Sequence, residues 1–266
     1  MEQLAARRAA EHLLAEHKAN ARFSSLAPPD GPATIQDAYD IQQRYVALLR
    51  GEHGEAAGYK VGLTSAAMQA FCGIDHPIAG VVLAGRVLQS GARVRRADFG
   101  RLGLEFEIAV RLKSDVPLTG APLTAEMIRP HIGGVCAAIE IVDDRGADYA
   151  NLDVLSLVAD NSWNAGIVLS EFAATWPGLE GVLGRATKDG AAIGEGHGRD
   201  ILGHPFNSVA WLATQLHSRG VRLKAGEVVM TGSVMKTVFP EADANYRFEL
   251  EAIGSVEVQV LEANAR

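Results

Sequence analysis

Glu105 and Glu107 stand two residues apart inside the apolar run 101–112, RLGLEFEIAVRL. Side chains alternate across a strand, so both carboxylates leave one face while Leu104, Phe106 and Ile108 leave the other. Two like charges on one strand face suit either a wetted surface or a bound divalent cation. A third acid, Glu140, lies in VCAAIEIV (135–142), where its neighbours are apolar and it shares a face with Ala138 and Val142. A carboxylate there must be ion-paired, with Arg145 the partner at hand, or protonated, or bound to metal, because burial without compensation costs several kcal/mol. Glu105, Glu107 and Glu140 together suit Mg²⁺ or Mn²⁺, hard cations that take oxygen ligands and keep waters for a substrate to displace. No Cys and His spacing suggests zinc, and His197 and His204, in or beside loops, read as structural.

The stretch GYKVGLTS (58–65) puts Lys60 on the face of Gly62 and Thr64, opposite Tyr59, Val61 and Leu63. As a strand it reads either as an amphipathic surface strand or as part of a site. Three carboxylates around a divalent cation leave one net negative charge, which one lysine cancels, so such a site would accept an acid. In VADNSWNAG (158–166), Asp160 and Asn161 are turn formers first and site residues second. The run VMTGSVMK (229–236) ends a strand in small residues, Thr231, Gly232 and Ser233, whose backbone N–H groups suit a carboxylate.

These residues need a scaffold, and 266 residues are enough for one large domain with an appendage. Residues 1–21 read as an amphipathic helix, 20–33 as a proline-rich break, and Thr34 opens a second helix expected to end at Gly51. From Gly58 the pattern changes to short strands: 59–63, 104–112, 135–142, 165–169, 227–231, 246–252 and 255–261. A hairpin is expected at Asp189-Gly190, and helices over 65–71, 153–160 and 205–219. Strands not separated by regular helices argue against a doubly wound sheet. The expected class is α+β: a small helical N-terminal subdomain (1–56) followed by a β-rich, mixed-sheet catalytic domain (57–266).

A net charge of −7 argues against a nucleic-acid surface, and no apolar run approaches the ~20 residues that span a bilayer. Two cysteines and an N-terminus without a secretion pattern are read as cytoplasmic.

Six segments occur in order: GYKVGLTS (58–65), EFEI (105–108), AIEIVDDR (138–145), VADN (158–161), LGHP (202–205) and MTGS (230–233). Together they resemble the 2-keto-4-pentenoate hydratase and 4-oxalocrotonate decarboxylase branch of the fumarylacetoacetate hydrolase superfamily, from about residue 35 to the end. The resemblance implies a helical N-terminal piece, a β-rich domain and a homo-oligomer. It also implies a Mg²⁺ or Mn²⁺ site on Glu105, Glu107 and Glu140, with Lys60 as the active-site lysine. Lys60, Leu63, Trp163, Thr231, Gly232 and Ser233 are the residues expected at the substrate. Two departures stand out. Hydratases of this branch usually carry an aspartate after the proline of the segment written here HPIAG (76–80), where decarboxylases have an apolar residue; this chain has Ile78. After VADN the branch often has small residues, where this chain has Ser162, Trp163 and Asn164, the tryptophan reshaping the pocket. The expected activity is that of a metal-dependent lyase on a small 2-oxo acid, foremost hydration of a 2-hydroxy-2,4-dienoate. Decarboxylation of a 2-oxo-enedioate, carbon–carbon hydrolysis of an acylpyruvate, and metal-bound ligand binding without catalysis are the alternatives. Lys60 would neutralise the substrate carboxylate or move a proton, given a pKa lowered by burial.

Overall fold

The computed structural model describes residues 1–119 and 121–262. Two helices open the chain, α1 (Gln3–Lys18) and α2 (Ile35–His53). α1 buries a stripe of small residues, Ala5, Ala6, Ala9, Ala10 and Leu13, which lets α2 lie close against it. α2 starts where Thr34 and Asp37 form a reciprocal capping box, and the amino group of Met1 adds a 2.7 Å contact to Asp37 Oδ1. The helix does not stop at Gly51, which is helical and exposed; it ends at Gly54, whose φ of 77° breaks the turn. A single glycine inside a helix costs only about 1 kcal/mol, which packing of Tyr45, Val46 and Leu49 outweighs.

Strands follow: β1 (Ala56–Gly62), β2 (Ile78–Leu83), β3 (Val87–Gln89), β4 (Ala92–Arg95), β5 (Leu102–Leu112), β6 (Ile132–Asp143) and β7 (Asn164–Leu169). The later ones are β8 (Leu183–Lys188), β9 (Ala191–His197), β10 (Val228–Ser233), β11 (Ala244–Leu250) and β12 (Gly254–Leu261). Short helices α3 (Ala66–Phe71), α4 (Ala125–Ile128) and α5 (Val154–Ala159) interrupt them, and α6 (Pro205–His217) is the longest of the helices that follow α2 in the chain. β2, β3 and β4 are not among the strands expected from sequence; two of them have at most four residues, too few for alternation to register. The Asp189-Gly190 turn joins β8 to β9, both turn residues at positive φ as a tight hairpin requires.

One sheet has seven strands in the order β2-β1-β10-β5-β6-β7-β3, with parallel pairs only at β1/β10 and β3/β7; the other has five, β4-β12-β11-β8-β9. This is the mixed α+β arrangement expected. The seven-stranded sheet curls on itself. Val82 of β2, Ala109 of β5, Cys136 and Ala138 of β6, Ile167 of β7 and Met230 of β10 form one closed apolar cluster, although β2 and β7 are five strands apart in sheet order. The opposite face carries Leu104, Phe106, Ile108, Ile139 and Ile141, packed on Phe248, Val256 and Val258 of the second sheet; Phe106 and Phe248 rings lie 5.5 Å apart. Leu13, Ile41 and Tyr45 belong to that same outer core, so the two N-terminal helices are continuous with it. Among the described residues, no helix is long and apolar enough to cross a membrane.

Candidate active site

Two strands of the curled sheet bring the acids together, and a third adds a lysine. β5 supplies Glu105 and Glu107 on its concave face, and β6 pairs antiparallel so that Glu140 lies directly opposite Glu105. One oxygen from each of the three carboxylates lies within 4.8 Å of the other two. Glu107 and Glu140 are fully buried, whereas Glu105 is partly open. Lys60 of β1 completes the group. In a flat sheet, β1 and β6 are three strand spacings apart, about 14 Å at about 4.8 Å each. The two side chains meet on the concave face, with Lys60 Nζ 3.4 Å from Glu140 Oε1. Arg145, the alternative partner for Glu140, turns away to Asp160 (2.7 Å) and Glu16 (3.2 Å).

Each carboxylate is held by one oxygen and has the other free. Thr237 Oγ1 donates to Glu105 Oε1 at 2.6 Å, and the Gly232 N–H donates to Glu107 Oε2 at 2.8 Å. Asn164 Nδ2 donates to Glu140 Oε1 at 2.9 Å, the same oxygen that faces Lys60. Glu107 Oε1 and Glu140 Oε2 are buried without a partner. Burial raises the pKa of Glu107, reinforced by the neighbouring Glu140. Burial also pushes Glu140 up, to about 7, against the pull of Lys60. Buried oxygens without donors are costly unless a cation meets them, so this oxygen-only donor set fits a hard divalent ion. For Lys60 the expectation of a lowered pKa is overturned. Burial does act to lower it, but Glu140, Glu105 and Glu107 outweigh that and hold it above the usual lysine value.

The remaining expected residues sit around this group in different ways. Gly232 and Thr231 spend their donors inside the protein, Gly232 on Glu107 and the Thr231 hydroxyl on the Ile108 carbonyl at 2.7 Å. The carboxylate that the small-residue strand end holds is thus the protein's own. The Ser233 hydroxyl donates to Met235 O at 2.8 Å, beside Glu107 in register. Leu63 is half-buried at positive φ, directly after β1. Trp163 is buried, edge-on to Phe23 at 5.1 Å and to Tyr149 at 5.9 Å, so it ties the chain after α1 to this wall. Ile78 is buried, and its Cγ1 lies 3.4 Å from where a Cβ on Gly62 would stand, beside Lys60. His204 caps α6, accepting from Phe206 N at 3.0 Å, and His197 precedes a short turn.

Sequence reasoning missed Asn164 and Thr237 as partners of the acids. Asn164 was noticed only for its size after VADN, and Thr237 lies past the strand end in a segment with no pattern. The pairing of Leu104 with Val238 is what brings Thr237 alongside Glu105.

Comparisons with known proteins agree with this architecture. The profile of the fumarylacetoacetate (FAA) hydrolase C-terminal family matches residues 58–261. The chain is 32% identical over 246 residues to a 2-keto-4-pentenoate hydratase of Burkholderia vietnamiensis, covering 90% of this chain and 92% of the relative. It is 31% identical over 259 residues to a 4-oxalocrotonate decarboxylase of Pseudomonas putida, covering 91% and 94%. Its structure superposes on the 4-oxalocrotonate decarboxylase from Pseudomonas putida G7, solved with magnesium and adipate, with a TM-score of 0.91 at 26% identity, covering 98% of this chain and 99% of that one. The family match spans most of the chain and takes in Lys60 and all three glutamates, and the chain belongs to the fumarylacetoacetate hydrolase family.

Proposed function

We propose that this protein is a metal-dependent lyase of small 2-oxo acids that hydrates a 2-hydroxy-2,4-dienoate to a 4-hydroxy-2-oxo acid. The observation that carries the reading is the pair of buried, unpartnered oxygens, Glu107 Oε1 and Glu140 Oε2, converging with Glu105 beside the Lys60 ammonium. Glu105, Glu107 and Glu140 would hold Mg²⁺ or Mn²⁺. When bound, that ion supplies Lewis-acid stabilisation of the negative charge developing on the 2-oxo group. Lys60 gives the buried cluster the positive charge that draws in the substrate carboxylate. Its proton is held by the same three carboxylates, so whatever neutralises them loosens it for transfer to the substrate carbon. Ile78 supplies apolar surface next to Lys60, which keeps bulk water from screening it, while Leu63 follows directly after β1 and Trp163 packs the Asn164 segment against Phe23 and Tyr149. Gly232, Thr231 and Ser233 form the wall behind Glu107. Relatives named as hydratases, about 30% identical over most of the chain, support the hydration step.

A second reading, decarboxylation of a 2-oxo-enedioate, draws support from one feature. Ile78 places an apolar side chain beside Lys60 where a hydratase is expected to carry a water-activating aspartate. Purified protein with Mg²⁺, given 2-hydroxypenta-2,4-dienoate, 2-oxohex-3-enedioate and an acylpyruvate in separate assays, separates the readings by ultraviolet loss and CO₂ release. Consumption of the dienoate without CO₂ supports hydration. Release of CO₂ from the enedioate with the dienoate untouched replaces hydration by decarboxylation. Cleavage of an acylpyruvate alone, or no turnover of any of the three, overturns the lyase reading in favour of a hydrolase or a binding protein. The same reading carries a cytoplasmic homo-oligomer, checked by light scattering of the purified protein.

A further inference from the structure

We infer that Asn164 is a positioning residue that fixes Glu140 as a one-oxygen metal ligand and frees Lys60 to turn to the substrate; the inference rests on the metal reading above. Glu140 Oε1 has two neighbours, Lys60 Nζ at 3.4 Å and Asn164 Nδ2 at 2.9 Å. The lysine contact is long and the amide contact is a normal hydrogen bond between buried groups, so Lys60 supplies charge and the amide supplies the directional hold. Its orientation is unambiguous in chemical terms: a carboxylate only accepts, so the amide must present its NH₂ and not its oxygen. A lysine that leaves Glu140 for a substrate carboxylate would, without Asn164, release a carboxylate that can then rotate or bind through both oxygens. With Asn164 in place, Oε2 stays the single free ligand atom.

The backbone is built to deliver that amide. Asn161, Ser162 and Trp163 have φ of 51°, 50° and 59°, three successive left-handed residues without a glycine among them. Such residues cost of order 1–3 kcal/mol each and persist only where the surroundings over-determine them. Here the surroundings are the edge of β2. The Asn161 side chain accepts from Val81 N at 2.7 Å and donates to Val81 O at 2.9 Å, and Ser162 Oγ donates to Ala79 O at 3.1 Å. Gly80 makes the approach possible, since a Cβ there would stand 2.6 Å from the Asn161 carbonyl. Asn164 itself follows at a register shift between β6 and β7, its carbonyl gripped by Arg86 Nη1 at 3.1 Å. The turn therefore ends with the Asn164 amide aimed at Glu140.

Calorimetric titration of chelator-treated protein with Mn²⁺ tests this. Wild type should bind Mn²⁺ and Glu140→Gln should not. Asn164→Leu, close in shape but without the donor, should bind about 10- to 100-fold more weakly, the range for lost outer-shell partners. Its metal-free unfolding midpoint should stay near wild type, and kcat at saturating Mn²⁺ should fall much less than affinity does. Ser162→Ala removes one of three bonds to the β2 edge, the two from Asn161 still holding the turn, and should leave the Mn²⁺ affinity within about two-fold, below the outer-shell range. If the leucine variant does not fold, Asn164→Ala carries the same expectation. A wild-type affinity in Asn164→Leu or Asn164→Ala, or an equal loss in Ser162→Ala, overturns the role of the amide while leaving the metal reading intact. Failure of wild type to bind Mn²⁺ overturns both.

Discussion

Replacing Gly232 by alanine should damage stability and site together, because this glycine solves a backbone problem and a ligand problem at once. Its φ of 115° lies outside the region open to residues with a Cβ, a penalty of about 1–3 kcal/mol. A Cβ would also stand 2.5 Å from Thr64 Cγ2 and 2.9 Å from Thr64 Cβ. Ordinary carbon contacts need about 3.5–4.0 Å, so β10 or the segment after β1 must give by about 1 Å. The Gly232 N–H donates to Glu107 Oε2 at 2.8 Å, and a shift of that size breaks a charge-assisted bond of about 1.5–3 kcal/mol. The total is about 3–6 kcal/mol, or about 6–12 °C in the unfolding midpoint at about 2 °C per kcal/mol for a chain of this size. A ligand carboxylate displaced by about 1 Å should cost about 10²-fold in kcat/KM. Differential scanning calorimetry and steady-state turnover read both effects. Thr64→Gly removes all the close atoms, so the double variant should regain the steric part and keep only the φ penalty. A single variant within about 2 °C and three-fold of wild type, or a double variant that recovers nothing, would refute the reasoning.

Other outcomes follow from the same geometry. Glu107→Gln keeps the shape and removes a charge among three, so metal-dependent turnover should drop by more than about 10²-fold while the far-ultraviolet spectrum stays native; unchanged kcat/KM removes Glu107 from the ligand set. Prolonged chelation should abolish turnover and lower the unfolding midpoint, and readdition of Mg²⁺ at about 100 times its Kd should restore about 2.7 kcal/mol; a midpoint indifferent to Mg²⁺ excludes the site as a tight one. Asp160→Ala leaves the buried Arg145 guanidinium with only Glu16 and a carbonyl, so it should cost about 3–5 kcal/mol in urea unfolding, and a change below about 1 kcal/mol would show the pair to be idle. His204 accepts from Phe206 N through Nδ1, and burial holds its pKa below the usual histidine value. The unfolded chain therefore protonates first as pH falls, so stability should decline below about pH 6.5 toward the folded value, and His204→Asn, a cap that does not titrate, should flatten that decline.

The alternation of 104–112 and 135–142 is local, and side-chain period alone puts Glu105 with Glu107 and Glu140 with Ala138 on single faces. Likewise, Thr34 with Asp37, Pro205, and Asp189-Gly190 announce helix starts and a hairpin through short-range hydrogen bonds and φ preferences, so those elements appear where composition places them. Gly51 is no helix end because the helix continues to His53, whose ring meets Arg86 at 3.2 Å, a contact distant in sequence, before Gly54 breaks the turn. No local pattern carried β2, although its edge receives the turn that aims Asn164, since six residues around Gly80 owe their extension to partners on both sides. The convergence of Lys60 with Glu140 was equally beyond the sequence. It depends on how far seven paired strands curl, a sum of small twists and of Val82, Ala109, Cys136 and Met230 fitting inside, and that sum exists only once every strand has its neighbour. Residue types determined which groups carry charge; only closure of the sheet decided that Thr237, Gly232 and Asn164 would each occupy one oxygen of an acid and leave the other free.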